Sequence, residues 1–298
     1  MITKACATYG IGDALNQRAF LVSYCKQKNI PTKSIAIYTK KYWWMFKDLG
    51  FKRKFFKPNT KKLTAYRNFG LFDMQKTSNC YELDKNIAQN AKINYSFETC
   101  VPFPKFDPPD IQLPERFITF NTGYGELSCL KGNPDFFCLK SWPNEYWAEF
   151  VRKIGVPCVQ IGAGPSCTVI GNGSINLVDK LSIKQSIEVL RRSLFHVDME
   201  GGLPILNQHL GKRSVVLFGA TAIQNQGRSF NLNLSSNSCF PCYVWAGRVG
   251  RLFASRTKLI CGHRCMMNLT PDYVIEQIHK SGWLETCPKI EEDFMVHP

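Results

Sequence analysis

The chain has 298 residues, of which 44% are hydrophobic and 20% charged; that is enough to bury a sizeable core in one large or two ordinary domains, and it excludes a disordered chain. A formal net charge of +15 draws anions: nucleic acid, anionic headgroups or phosphorylated substrates. The 13 cysteines, odd in number and scattered, exclude a short secreted disulfide scaffold.

MITKACATYGIGDALNQ has no apolar stretch of the kind a signal peptide needs, and no apolar run approaches the roughly 20 residues of a membrane span. The expectation is a reducing, cytoplasmic setting with most thiols as small buried apolar groups. After a short apolar segment come Gly10, Ile11, Gly12 and Asp13. A helical pattern follows, with Ala14, Leu15, Ala19, Phe20, Val22 and Tyr24 on one face. Ser34–Thr39 (SIAIYT) reads as a buried strand, so the opening is a βαβ unit and implies a parallel sheet. Residues 40–67 interleave lysines with aromatics. Three readings stay open for them: a stacking surface for single-stranded nucleic acid, a face toward a membrane or anionic acceptor, and an amphipathic helix with an aromatic core side.

Val101–Arg116 carries five prolines, which block helix and central strand alike. A domain boundary is expected there. The alternation then restarts. RFITF is a strand, WPNEYWAEFVRKIG a helix with Trp147, Phe150, Val151 and Ile154 inward, and PCVQIGAG a strand entering a glycine turn. SIKQSIEVLRRS is a helix with Ser182 as N-cap, LFHVDMEGG a strand, LPILNQHLGK a helix, and SVVLFGAT a buried parallel strand. Two α/β units facing a central cleft follow, with ligands expected at the carboxyl ends of the strands.

Cys239, Cys242, Cys261 and Cys265 have the spacing C-x2-C-x18-C-x3-C, with His263 inside the second pair. Paired thiolates at such spacing suit a structural zinc or iron site; disulfides and free buried thiols are the alternatives. Asp13 reads from sequence alone first as a helix N-cap, to which Asp is well suited, and second as a functional acid. Asn121, Thr122 and Gly123, and Gly219 and Thr221, follow strands and read as phosphate contacts or as ordinary turn formers.

From about Phe117 to Val274 the motifs resemble, in order, those of the heptosyltransferase family (glycosyltransferase family nine). KSWPNEYW, VQIGAG, the run LVDKLSIKQSIEVLRRSLFHVDMEGGLPILNQHLGKRSVVLFGAT and CFPC…CGHRCMMNLTPDYV carry the resemblance, with GIGDAL near the N-terminus. It implies the two-Rossmann GT-B fold, with an acceptor domain at 1–108, a nucleotide-sugar domain at 109–275 and a tail at 276–298 that packs back on the first. It implies transfer of a sugar from a donor like ADP-heptose to a hydroxyl of an anionic glycolipid, polysaccharide or protein, with contact at the inner face of a membrane. Asp13 is then the base, and Gly12, Asn121, Thr122, Lys140, Gly162, Gly164, Glu200, Gly201, Gly202, Gly219 and Thr221 hold the donor. Arg248 and Arg251 face phosphate or acceptor, and the four cysteines staple a loop through a metal. No catalytic cofactor is implied, in keeping with the absence of any D-x-D sequence.

The chain departs from the family at Glu200, where an Asp is usual, and at Ile205, where a His is usual; His209 lies one helical turn later. These departures sustain the alternative of an inactive glycosyltransferase-like scaffold. The charge and cysteines sustain another, a basic zinc-containing nucleic-acid-binding protein, which leaves the two α/β units unexplained.

Overall fold

The computed structural model describes residues 2, 4–6, 10–39, 41–54, 88–123, 140–171, 173–236, 238 and 264–298. They fall into two compact units: the described residues up to Pro104 with Glu291–Pro298, and those from Lys105 to Ile290. The chain passes from one to the other at Pro104–Lys105, within the proline-rich segment.

In the first unit β1 (Lys4–Cys6), β2 (Ala36–Tyr38) and β3 (Lys52–Lys54) form a parallel sheet in that order. The crossover between β1 and β2 contains helix α1 (Ile11–Gln27). Its N-cap is Gly10, so Gly12 and Asp13 sit inside the first turn and Asp13 is not the cap. Asp13 is the third helical residue, from which a carboxylate reaches back to the N-cap amide and favours the helix dipole.

The expected apolar stripe of α1 is buried, but so are Gln17, Arg18 and Ser23. Arg18 has no exposed surface. It donates to the carbonyls of Met45 at 2.8 Å, of Pro102 at 2.8 Å and of Val101. Asp48 lies 3.6 Å away and the Phe103 ring 4.2 Å below the guanidinium. Burial pulls the Arg18 pKa down to about 10, with Asp48 opposing. One charged fork thus ties α1 to the 3-10 turn of Trp43–Met45 and to the proline-rich segment at Val101–Pro102. The C-terminal segment joins this unit through a parallel bridge of Met295 to Cys100.

The second unit is a six-stranded, wholly parallel sheet in the order β6-β5-β4-β7-β8-β9. The strands are β4 (Ile118–Phe120), β5 (Cys158–Gln160), β6 (Ser174–Asn176), β7 (His196–Met199), β8 (Ser214–Phe218) and β9 (Leu232–Ser235). Counted from β4, the order is three-two-one-four-five-six, that of a doubly wound dinucleotide fold, and it reverses between β4 and β7. Helices α2 (Asn144–Lys153), α3 (Ile183–Arg192), α4 (Gly202–Gln208) and α5 (Ile223–Gln226) lie in the crossovers. Two short strands, β6 and β9, were not expected from sequence; they form the edges of the sheet and, apart from Leu234, are only partly buried.

Ser182 caps α3 in a full capping box with Gln185. Trp142, Trp147 and Phe150 pack edge to face, with Trp142 and Trp147 centroids 4.8 Å apart. Short α6 (Arg264–Met267) and α7 (Pro271–Ser281) follow later in the chain. Val274 and Ile278 of α7 share the core with Trp147 and Phe150 of α2, and Trp142 Nε1 donates to the Leu269 carbonyl at 2.7 Å. These contacts anchor the chain two residues beyond Lys140. No described helix is long and apolar enough to cross a membrane.

Candidate functional site

Because the six strands run one way, the residues following β4, β5, β7 and β8 leave the sheet at one edge. These are Asn121–Gly123, Ile161–Gly164, Glu200–Gly201 and Gly219–Thr221. In doubly wound sheets that edge, at the point where strand order reverses, forms the ligand crevice.

Three residues singled out from sequence meet there. Lys140, which reaches in ahead of α2, forms an ion pair with Glu200, the residue after β7. The Thr221 hydroxyl, three residues past β8, donates to Glu200 Oε1 at 2.9 Å. The Lys140 and Glu200 side chains are 16% and 11% exposed, so the pair is poorly screened by solvent. Gly201 is the N-cap of α4, in an extended conformation, and Gly202 is its first residue. Gly219 lies in the bend that carries the chain to Thr221.

A second cluster lies one strand over and was missed in the sequence. His196 and Asp198 of β7 point the same way, as strand residues two apart do. His196 pairs in register with Thr119 of β4. Its Nδ1 lies 3.0 Å from Thr119 Oγ1 and its Nε2 3.3 Å from Asp198 Oδ2. A hydrogen on Nε2 would go to Asp198, and Nδ1 faces the Thr119 hydroxyl.

Asn121 Nδ2 donates to both Asp198 oxygens, at 3.1 and 3.2 Å, and to the Gly123 carbonyl at 2.7 Å. Asn121 Oδ1 accepts the Gly123 amide at 3.0 Å and the Cys167 thiol at 3.2 Å. Asp198 is 3% exposed. Burial raises its pKa, against the pull of His196 and Asn121, which favour the ionised form.

The same edge explains two glycines. Gly162 has φ +139, and a Cβ there would lie 2.5 Å from Asn121 Oδ1 and 2.7 Å from Cys167 Sγ. A Cβ on Gly123 would lie 2.3 Å from the same sulfur. Burial pushes the Cys167 thiol up to about 11, with the Asp198 charge adding to it. Thr122 Oγ1 donates to the Thr168 carbonyl at 2.8 Å and accepts from Gln160 Nε2 at 3.2 Å. Gly164 gives its amide to Asp179 Oδ1 at 2.9 Å. Asn121, Thr122, Gly162 and Gly164 therefore form the scaffold of the edge, while Lys140, Glu200 and Thr221 carry its polar face.

Asp13 belongs to the first unit. Its side chain is exposed to solvent, yet protein mass around it desolvates the carboxyl enough to raise its pKa above 3.8, opposed by a hydrogen bond from the Gly10 backbone. Ile205 is partly buried within α4, and His209 is buried at the end of that helix. Cys239, Cys242, Cys261, His263, Arg248 and Arg251 lie outside the described residues, as do residues 55–67 of the lysine–aromatic stretch. Cys265 is 4% exposed in α6 and packs in the apolar core of the second unit. Among the described residues no group of three or more His, Cys, Asp or Glu side chains is arranged to hold a metal.

No family model matches the sequence, and no curated protein matches it. Solved structures do. The iron-containing dodecameric glycosyltransferase TibC from enterotoxigenic E. coli H10407 superposes with a TM-score of 0.59 at 15% identity, covering 93% of this chain and 76% of TibC. The likeness is one of fold.

ADP-heptose lps heptosyltransferase II of E. coli superposes with a TM-score of 0.57 at 11% identity, covering 95% of this chain and 98% of that one. A glycosyl transferase family 9 protein from Veillonella parvula DSM 2008 gives 0.53 at 10% identity, covering 94% and 96%. The chain is thus similar in structure to heptosyltransferases over nearly its whole length, with an α/β architecture of parallel sheets.

Proposed function

We propose that the protein is a glycosyltransferase of GT-B type that takes a nucleotide sugar as donor, ADP-heptose or a close analogue, and a hydroxyl of an anionic glycolipid, polysaccharide or protein as acceptor. The observation that carries this reading is the meeting of Lys140, Glu200 and Thr221 at the carboxyl edge of a sheet in dinucleotide-fold order. That edge is where such sheets bind phosphorylated ligands, and the fold likeness to a protein named for ADP-heptose supports the donor.

In this reading the chemistry needs two things. The leaving diphosphate must be held, and the acceptor hydroxyl must lose its proton as it attacks. Lys140 supplies a point charge and Thr221 a hydroxyl to the diphosphate. Asp13 takes the acceptor's proton, the acceptor oxygen bonds to the anomeric carbon, and the nucleoside diphosphate leaves with the electron pair of the broken bond. Desolvation of Asp13 raises its basicity, which suits that role. Asn121, with Asp198 and His196 behind it, holds the loops that frame the site.

By the same reading Cys239, Cys242, Cys261 and Cys265 hold a structural metal, and Arg248 and Arg251 face phosphate or acceptor. Metal analysis of the purified protein tests the former. Thermal-shift screening against ADP-, GDP- and UDP-sugars tests the whole. Ligand binding to the folded state raises the melting temperature, and the ADP-sugar is expected to give the largest rise. No rise with any of them, together with oligonucleotide binding that falls steeply with salt, would replace this reading with the nucleic-acid one.

A further inference from the structure

Glu200 stands against the two groups that the proposed function assigns to the donor's diphosphate, and the inference below rests on that assignment. One oxygen of its carboxylate takes both the Lys140 ammonium and the Thr221 hydroxyl, the latter at 2.9 Å. A lysine ammonium has three hydrogens and serves several acceptors at once; a threonine hydroxyl has one. The hydrogen that Thr221 gives to Glu200 is therefore not available to a phosphate oxygen. The carboxylate also cancels the charge of Lys140 within a pair whose side chains are only 16% and 11% exposed, where like charges repel more strongly than in open solvent. Glu200 follows directly on β7, whose Asp198 and His196 are tied into the neighbouring strand, so its backbone has little freedom to withdraw.

We infer that Glu200 is an internal competitor of the donor's diphosphate. Phosphate oxygens displace its carboxylate from Lys140 and Thr221 when the donor enters, and the carboxylate takes both groups back as the nucleoside diphosphate leaves. The device weakens ground-state binding of donor and product alike and speeds product release. It differs from a role in which Glu200 merely positions Lys140, because the two roles predict opposite signs when the charge is removed.

The test is calorimetric titration of the full-length protein with ADP and with inorganic diphosphate. Glu200→Gln removes the charge and keeps an acceptor for Thr221; Glu200→Ala also frees the hydroxyl. Both are expected to bind ADP about 5- to 10-fold more tightly than wild type, on the scale of a single partly buried like-charge contact. Glu200→Asp draws the charge back by one methylene and guards against a fold defect, with an affinity expected between that of the wild type and those of the neutral variants. Lys140→Gln is expected to weaken binding, and adding Glu200→Gln to it to recover part of the loss, because the like-charge contact with the diphosphate is then gone. If Glu200→Gln binds ADP no more than 2-fold better than wild type, or worse, the competitor role is overturned while the site assignment stands, provided Lys140→Gln still weakens binding. If neither the wild type nor any Glu200 variant binds ADP or diphosphate, the site assignment falls and the inference with it.

Discussion

Replacing Asn121 by Ala removes a side chain that links the β4 end, Cys167 of the loop after β5 and the buried acid of β7. Its amide serves Asp198 at 3.1 and 3.2 Å and Gly123 at 2.7 Å, and its oxygen accepts the Gly123 amide at 3.0 Å. A hydrogen bond to a charged group is worth about 1.5–3 kcal/mol, and a neutral one about 1 kcal/mol. The expected loss is therefore about 3–5 kcal/mol, or roughly 10 °C in the melting of a unit of this size.

The loss should also depend on pH. Asn121 favours the ionised form of Asp198, so without it the Asp198 pKa climbs further above 3.8. A carboxyl whose folded pKa is raised stabilises the fold fully below its unfolded pKa and loses that contribution as pH rises through its folded value. The deficit of the variant must then grow from acid to neutral pH. Urea denaturation across that range measures it, and Asp198→Ala in both backgrounds isolates the coupling. A deficit under about 1 kcal/mol by that cycle, or one that ignores pH, or full additivity with Asp198→Ala, would refute the reasoning.

Three further outcomes are expected. Arg18→Met strands the carbonyls of Met45, Val101 and Pro102 that the guanidinium now serves, at a cost of about 3–5 kcal/mol in urea titrations that follow the first unit; Arg18→Lys should recover little of it, since the ammonium lacks the fork. Ser182→Ala removes the hydroxyl side of the α3 capping box and should lower the melting stability of the second unit by about 1 kcal/mol. Asp13→Asn should cut kcat by about 10²- to 10⁴-fold with an unchanged circular dichroism spectrum; in the wild type the acid limb of kcat/KM should fall at a pH above 3.8, because desolvation raises the pKa of that carboxyl.

Sequence patterns that depend on local spacing were easy to read. Ser182 at the head of its helix, or Trp147, Phe150, Val151 and Ile154 at helical intervals, announce their elements directly. Thr221 was read from its place after a strand, and Lys140 and Glu200 through family resemblance; nothing in their spacing brings three positions 21 and 60 residues apart to one oxygen. The Thr119–His196–Asp198–Asn121 chain was not read at all, since its partners lie 77 residues apart. One signal was present. FHVDM and ITFN both alternate polar and apolar residues in strands otherwise fit for burial, and buried polar groups need partners. Two such strands side by side satisfy each other. The helix α1 also holds buried polar residues that the apolar stripe does not announce: Gln17, Arg18 and Ser23 are all covered, and Arg18 is accommodated by the carbonyls of Met45 and Pro102. Asp13 resembled a cap because acids favour that place, whereas Gly10 takes it and leaves Asp13 within the first turn.

The most direct test of the central claim is the rate of ADP release from ADP-heptose by the purified protein, with glycolipid, polysaccharide and protein acceptors, against Asp13→Ala and Lys140→Gln. The account predicts acceptor-dependent release by the wild type, loss of turnover in Asp13→Ala with donor binding retained, and weakened donor binding in Lys140→Gln. Donor that stays intact with every acceptor, or full turnover by Asp13→Ala, would contradict it.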